Sequence, residues 1–92
     1  MLFVSGGNNV VGIGAEGDLG TGLHIKTADS SASVSADADE LVLEGSGDCG
    51  MSFLTGSSSS ARIYFGDSEN ALSGVIKYDH NLNAMMFVSK YR

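Results

Sequence analysis

The sequence predicts an all-β fold made of short strands and turns, and three observations support this. Short apolar segments recur along the chain, separated by clusters of Gly, Ser, Asn and Asp, the residues that turns favour. From Val42 onward the centres of these segments lie about 10 to 13 residues apart, the spacing of short strands. No long window has its apolar residues at the spacing of an amphipathic helix.

The strands can be assigned from these segments in chain order. They are predicted at 2–4, 10–14, 23–27, 41–44, 51–54, 61–65, 74–78 and 84–89, with antiparallel pairing expected. The best helical candidate, 35–45, has an acidic start that suits a helix N-terminus, but its apolar part is too short. The polar stretches 27–40 and 55–61 are expected to be surface loops, the first with a weak strand near Val34.

The last predicted strand, AMMFVS at 84–89, is apolar on both faces. Met85 and Phe87 share one face, while Met86 and Val88 share the other. A strand that is apolar on both faces is buried on both faces. Because a single small sheet cannot provide this, we expect a second layer or a neighbouring chain, with Phe87 in or beside a shared core.

Composition points to one domain, spanning 1–92, that gains stability by association. The chain is rich in Gly and Ser, which bury little surface, and its single cysteine cannot form an internal disulfide. Oligomerisation is therefore an expected source of buried area. The net charge of −6 argues against binding nucleic acid or anionic membranes. No apolar run approaches the roughly 18 residues of a membrane span.

Two places could suggest catalysis. Asp79 and His80 are adjacent, but neighbours on an extended chain point to opposite faces, so we interpret them as the turn between two strands. His24 lies between Leu23 and Ile25 on the opposite face of its strand, and we expect it at the surface or at a subunit interface. We predict no catalytic residue and do not expect an enzyme. A small hydrolase is kept as an alternative beside the two non-enzymatic hypotheses given below.

The letters of a dinucleotide-binding motif occur in GIGAEG, through Gly12, Gly14 and Gly17. That motif requires a helix directly after the glycines, whereas this sequence returns to a strand within a few residues. We therefore predict no cofactor site here.

Metal-ligating residues are present without a recognised spacing. Asp37, Asp39 and Glu40 could attract a hard cation, but they lack the glycine and the distant glutamate of an EF-hand loop. Cys49 and the two histidines lack zinc-site spacing. We predict no metal site.

Two stretches resemble recurrent elements of tail-fibre and tailspike proteins of tailed bacteriophages. The first, 8–27, follows the pattern N-V-G-I-G-T, a short turn, then L-H-[VI]. The residues that fit are Asn9, Val11, Gly12, Ile13, Gly14, Leu23, His24 and Ile25. Ala15 replaces the usual threonine and a Ser-Pro pair is missing, so the turn is expected to differ.

The second and more specific stretch, 51–87, is similar to an element with I-x-F-G-D followed by G-x-I-x-Y-D-H, a polar turn and an apolar strand. The residues that fit are Ile63, Phe65, Gly66, Asp67, Gly74, Ile76, Tyr78, Asp79 and His80. Together the two stretches cover well over half of the chain. Both are structural elements without a catalytic signature.

The resemblance implies an extracellular virion component: a homotrimeric, intertwined fibre segment of the β-prism or triple-β-helix kind. In such proteins the segment often precedes a C-terminal self-cleaving chaperone domain. The expected partners are other copies of the chain, neighbouring fibre segments and a host-surface glycan or protein contacted through loops. The alternative is a monomeric β-sandwich that binds carbohydrate, for which Tyr64, Tyr78 and Tyr91 are the candidate platforms in a chain without tryptophan.

Overall fold

The computed structural model describes residues 1–7 and 9–89. Over these residues the chain forms seven short strands, one 3₁₀ turn and no α-helix, which confirms the all-β prediction. The chain divides into two compact units, one up to Met51 and one from Ser52 onward, and each contains one sheet. No helix in the described part is long and apolar enough to cross a membrane.

The first sheet has four strands in chain order. They are β1 (Leu2–Ser5), β2 (Val10–Ile13), β3 (Leu23–Lys26) and β4 (Leu41–Glu44). β1 pairs with β2 antiparallel, as predicted, but β2, β3 and β4 are parallel, so the prediction of antiparallel strands is wrong there. The reason is the length of the connections 14–22 and 27–40, which return the chain to the same end before each new strand begins.

The helical candidate at 35–45 forms only one short turn. Ala36–Ala38 is a 3₁₀ helix capped by the Ser35 side chain, which accepts a hydrogen bond from the Asp37 backbone N–H. The rest of that stretch becomes β4, and residues 32–35 contain no strand, so the weak strand expected near Val34 is wrong.

One face of the first sheet is entirely aliphatic. Residues paired in register across a sheet lie on the same face, and here two rows of four cross all the strands. The rows are Leu2–Ile13–Ile25–Leu43 and Val4–Val11–Leu23–Leu41, and we call these eight residues the aliphatic face. All eight are exposed or half-buried in the single chain.

The opposite face is covered by the chain's own loops, and we call it the loop-covered face. It holds Val10 and Val42, the buried hydrophobic side chains of the described residues. The loop 14–22 lies directly on it: a Cβ at Gly12 would stand 2.4 Å from two backbone atoms of that loop. A Cβ at Gly17 would stand 2.8 Å from the Val10 side chain. The glycines of GIGAEG thus allow close packing of loop on sheet.

The second sheet is an antiparallel meander. It contains β5 (Ser60–Phe65), β6 (Gly74–Asp79) and β7 (Ala84–Ser89). The prediction of a strand at 51–54 is wrong, since those residues have no regular structure. The surface loop predicted at 55–61 is confirmed as far as Ser59, whose N–H bonds the Gly56 carbonyl, and β5 begins at the next residue. No described residue of this unit is buried.

One face of the second sheet is apolar, as the alternation predicts. It carries the in-register row Ile63–Ile76–Phe87, beside Ala61, Tyr78, Met85 and Phe65, and we call these seven residues the second apolar face. Phe87 is 73% exposed. Phe53 flanks a shallow depression of about 140 Å³ over the centre of this face. The other face is mixed and includes Arg62, Lys77 and Tyr64.

Candidate functional site

The polar groups of the first unit converge on the loop-covered face, in a cluster centred on His24 and Glu44. His24 pairs in register with Val42, so Glu44, two residues further along β4, lies diagonally across from it on the same face. The His24 Nε2 atom lies 2.7 Å from Glu44 Oε1. The His24 side chain is fully buried, and Glu44 is nearly so.

Hydrogen bonding assigns the tautomer of His24. Its Nδ1 atom accepts hydrogen bonds from the backbone N–H groups of Asp18 at 3.2 Å and Leu19 at 3.4 Å. Because both partners are donors, Nδ1 must present its lone pair. Nε2 therefore carries the proton and donates a hydrogen bond to Glu44 Oε1. The ring thus joins β3, β4 and the loop 14–22.

Glu44 is held as a carboxylate. Its Oε2 atom accepts hydrogen bonds from both the backbone N–H and the hydroxyl of Ser30, each at 2.8 Å. These two bonds, followed by the bond from His24, lower the pKa of Glu44 to about 2, although burial acts in the opposite direction. Glu44 therefore fixes the start of the loop 27–40 against the sheet.

Lys26 and Asp18 form an ion pair at the rim of the cluster. The Lys26 Nζ atom lies 2.9 Å from Asp18 Oδ2, and this hydrogen bond is the main reason that the pKa of Lys26 is raised. Asp18 is exposed, so water weakens the pair. The pair fastens the loop 14–22 to β3, beside Glu44, which is the in-register neighbour of Lys26 on β4.

The cluster has the residue types of a metal site, but both nitrogens of its histidine are already engaged by the protein. Within the described ranges, Asp18, His24 and Glu44 are the one group of three such ligands, with ligand atoms within 4.8 Å of one another. His24 Nδ1 already accepts two backbone N–H groups and Nε2 is protonated. Glu44 and Asp18 are engaged by Ser30 and Lys26. The arrangement therefore fits a structural lock rather than a metal ion.

A serine, a carboxylate and a histidine are also the residue types of a hydrolase triad, but their order differs here. In a catalytic triad the histidine accepts the serine proton and the carboxylate orients the histidine. Here the Ser30 hydroxyl donates to Glu44, and His24 contacts the other oxygen of the same carboxylate. The imidazole is buried and both its nitrogens are engaged elsewhere, so His24 does not contact the hydroxyl as the base of a triad would.

Of the residues singled out in the sequence, Asp79 and His80 lie in the second unit, whereas His24 is at the centre of this cluster. The Asp79 carboxylate accepts hydrogen bonds from the backbone N–H groups of Asn81 and Leu82, which confirms the turn interpretation. The His80 ring packs edge-on against Tyr78, with centroids 4.8 Å apart. The expectation that His24 lies at the surface or at an interface is wrong, because the loop 14–22 folds over its face.

The sequence interpretation missed the other members of the cluster around His24, which are Glu44, Asp18, Ser30 and Lys26. One signal was available in the sequence. Aliphatic residues occupy every second position of β3 and β4, and the positions between them include the polar residues His24, Lys26 and Glu44. That pattern assigns His24 and Glu44 to one common face. It does not reveal that loops cover this face, since loop paths leave no periodic signal.

Comparison with protein families, with curated proteins and with solved structures gives no match for this chain. Its functional interpretation therefore depends on the two uncovered apolar faces, on the cluster that locks the loop-covered face, and on the residue patterns of the strands.

Proposed function

We propose that this chain is a structural β segment of a bacteriophage tail fibre or tailspike, assembled as a homotrimer in the extracellular virion. The observation that carries the proposal is the second apolar face. In a unit without a buried residue among those described, it presents Ile63, Ile76, Met85 and Phe87 together on one side of a three-stranded sheet.

The energetics of that face favour a partner. Moving one large apolar side chain such as Phe87 from water into a core contributes roughly 1.5–3 kcal/mol. A three-stranded sheet without a covered face is marginal by itself, because the entropy of ordering it is not offset by burial. Association of identical chains supplies the missing burial and forms a closed, cyclic assembly.

The positions of the resembling elements support the phage assignment. The first stretch spans β2, the glycine-rich loop on the sheet, and β3. The second stretch contains all of β5, all of β6 with its closing Asp79-His80 turn, and β7 up to Phe87. Each motif letter therefore has a structural use as a strand residue, a close-packing glycine or a turn residue, as a repetitive fibre requires.

The mechanism we propose is rigidity and display, without catalysis. The polar loops 27–40 and 55–59 are the candidates for contact with a host-surface glycan or protein. The rival, a monomeric β-sandwich that binds carbohydrate, has to cover its apolar faces within one chain, and the mass in solution distinguishes it from the fibre segment. Of its candidate platforms, Tyr91 lies outside the described residues.

The mass in solution tests the proposal. Light scattering on the purified chain at micromolar concentration should give three times 9.5 kDa. A stable species of 9.5 kDa at that concentration would contradict it. The phage assignment itself is tested by electron microscopy of virions with an antibody against the loop 27–40: labelling confined to tail fibres supports it, and unlabelled fibres contradict it.

A further inference from the structure

We propose that the aliphatic face of the first sheet is a second assembly surface, distinct from the second apolar face, and that its occupant is the same face of other copies of this chain. The proposal rests on the proposed homotrimer and assigns to it an interface that the apolar last strand does not reveal.

The composition of the face indicates what can cover it. All eight positions, in two rows across four strands, are Leu, Ile or Val. A glycan, a nucleic acid or a charged peptide would need donors, acceptors or charges, and these positions offer none. Interfaces without polar groups at their centre are typical of obligate homo-oligomers, which resemble a domain core cut in half.

The size of the face fits an interface. Leu2 and Val4 are 62% and 73% exposed, and the inner strands contribute half-buried residues. The exposed apolar area is on the order of 500 Å², the size of surface patch that usually marks an interaction site. With the second apolar face, of similar size, one protomer offers roughly the 800 Å² that each partner of a stable interface buries.

A second copy is the occupant that the chain's own stability favours. Its buried hydrophobic core consists, in the described residues, of Val10 and Val42. A chain with so small a core needs a partner over its aliphatic face in order to fold. That partner must therefore be present wherever the chain is made. Another copy meets that condition, and three identical aliphatic faces turned towards one rotation axis form a closed assembly.

The buried cluster explains why this face stays outward. A shift of one residue in strand register would exchange the two faces of the sheet. His24 bonds Glu44 and the backbone of the loop 14–22, and Glu44 bonds Ser30 of the loop 27–40, so the cluster ties β3, β4 and both loops together on the loop-covered face. Polar loops are thereby held away from the aliphatic rows, which remain available to other chains.

The experiment measures access to the face in the assembled protein. In a Cys49→Ser background, Val4→Cys places a thiol on the aliphatic face at a position that is 73% exposed in the single chain. Ser57→Cys, in an exposed loop, is the matched control. We expect a maleimide to react on the order of 100-fold more slowly with the Val4→Cys thiol in the trimer. A second variant, Ile13→Asp, should lower the solution mass, whereas Ser57→Asp should not.

The outcomes separate this inference from the proposed function. A trimer in which the Val4→Cys thiol reacts as fast as the control overturns the inference and leaves the fibre segment standing. A monomeric parent chain contradicts both proposals, whether the thiol is protected or not. A trimer whose mass is unchanged by Ile13→Asp also overturns the inference, because a charge at the centre of an aliphatic interface cannot be accommodated.

Discussion

The two sheets of this chain differ in how far the chain's own loops cover them. Each is small and each has a strongly apolar face, but the first sheet also has a face covered by its own loops. There the connections 14–22 and 27–40 fold back and are fixed by His24 and Glu44. In the second sheet the turn after Asp79 satisfies its own backbone, and no described residue of that unit is buried. We infer that the hydrogen bonds holding loops against a sheet determine how far each unit depends on a partner chain for burial.

The largest loss of stability is expected from a substitution at Phe87, on the second apolar face. Truncating a buried Phe to Ala typically costs about 3–5 kcal/mol, and a trimer contains the site once per chain. Phe87→Ala should therefore dissociate or unfold the assembly. Tyr64→Ala, on the mixed face beside Arg62, should be far better tolerated. Melting both variants at equal concentration decides the matter; if Tyr64→Ala collapses and Phe87→Ala melts like the parent, the inside and outside of the second sheet are reversed.

The next largest effect is expected at Gly12, where a loop packs directly on the first sheet. A methyl group at Gly12 would meet backbone atoms at 2.4 Å, whereas one at Gly74 in the second sheet would make an ordinary 3.5 Å contact with Phe65. Gly12→Ala should cost more than about 3 kcal/mol, since the clash is with rigid backbone. Gly74→Ala should stay within about 1 kcal/mol. Urea unfolding of the two variants measures the difference, and equal losses would show that the loop does not press on the first sheet.

Acid should weaken the first sheet through Glu44. Its pKa is about 2 in the folded chain against an ordinary value of 4.5. Because folding lowers the pKa, the carboxylate stabilises the fold fully above pH 4.5, and this contribution is lost as the pH falls towards about 2. Thermal melting across this window should show a steeper decline for the parent than for Glu44→Gln, which cannot ionise. Parallel curves would mean that Glu44 does not stabilise the folded chain as an anion.

The smallest effect is expected at Ser30. Ser30→Ala removes the hydroxyl donor to Glu44 but keeps the backbone N–H donor. The hydroxyl also accepts a hydrogen bond from the backbone N–H of Ala32, so the variant loses two hydrogen bonds. The loss should be about 1–2 kcal/mol, and the pKa of Glu44 should rise. NMR titration of the Glu44 carboxyl measures the pKa, with Ser57→Ala as the control. An unchanged pKa would show that the hydroxyl bond is not formed in solution.

Local patterns predicted the strands well because alternation and turn residues are local properties. Seven of the eight predicted strands exist, and Ile63 and Phe87 fall on the face that alternation gives them. Segment 51–54 failed because its apolar residues have no strand partner in the structure. The parallel pairing of β2, β3 and β4 and the burial of His24 were missed for one reason: both depend on where long connections run. Alternation assigns a residue to a face, but it does not say what covers that face.

The coupling of folding to association is the central claim, and the concentration dependence of melting tests it most directly. The unfolding midpoint should be followed by circular dichroism over about a hundredfold range of chain concentration. If three chains complete one another's cores, the midpoint should rise by several degrees with concentration, with one transition for both sheets. A midpoint independent of concentration would contradict the account, because it would show that a single chain folds without the cover its apolar faces are proposed to need.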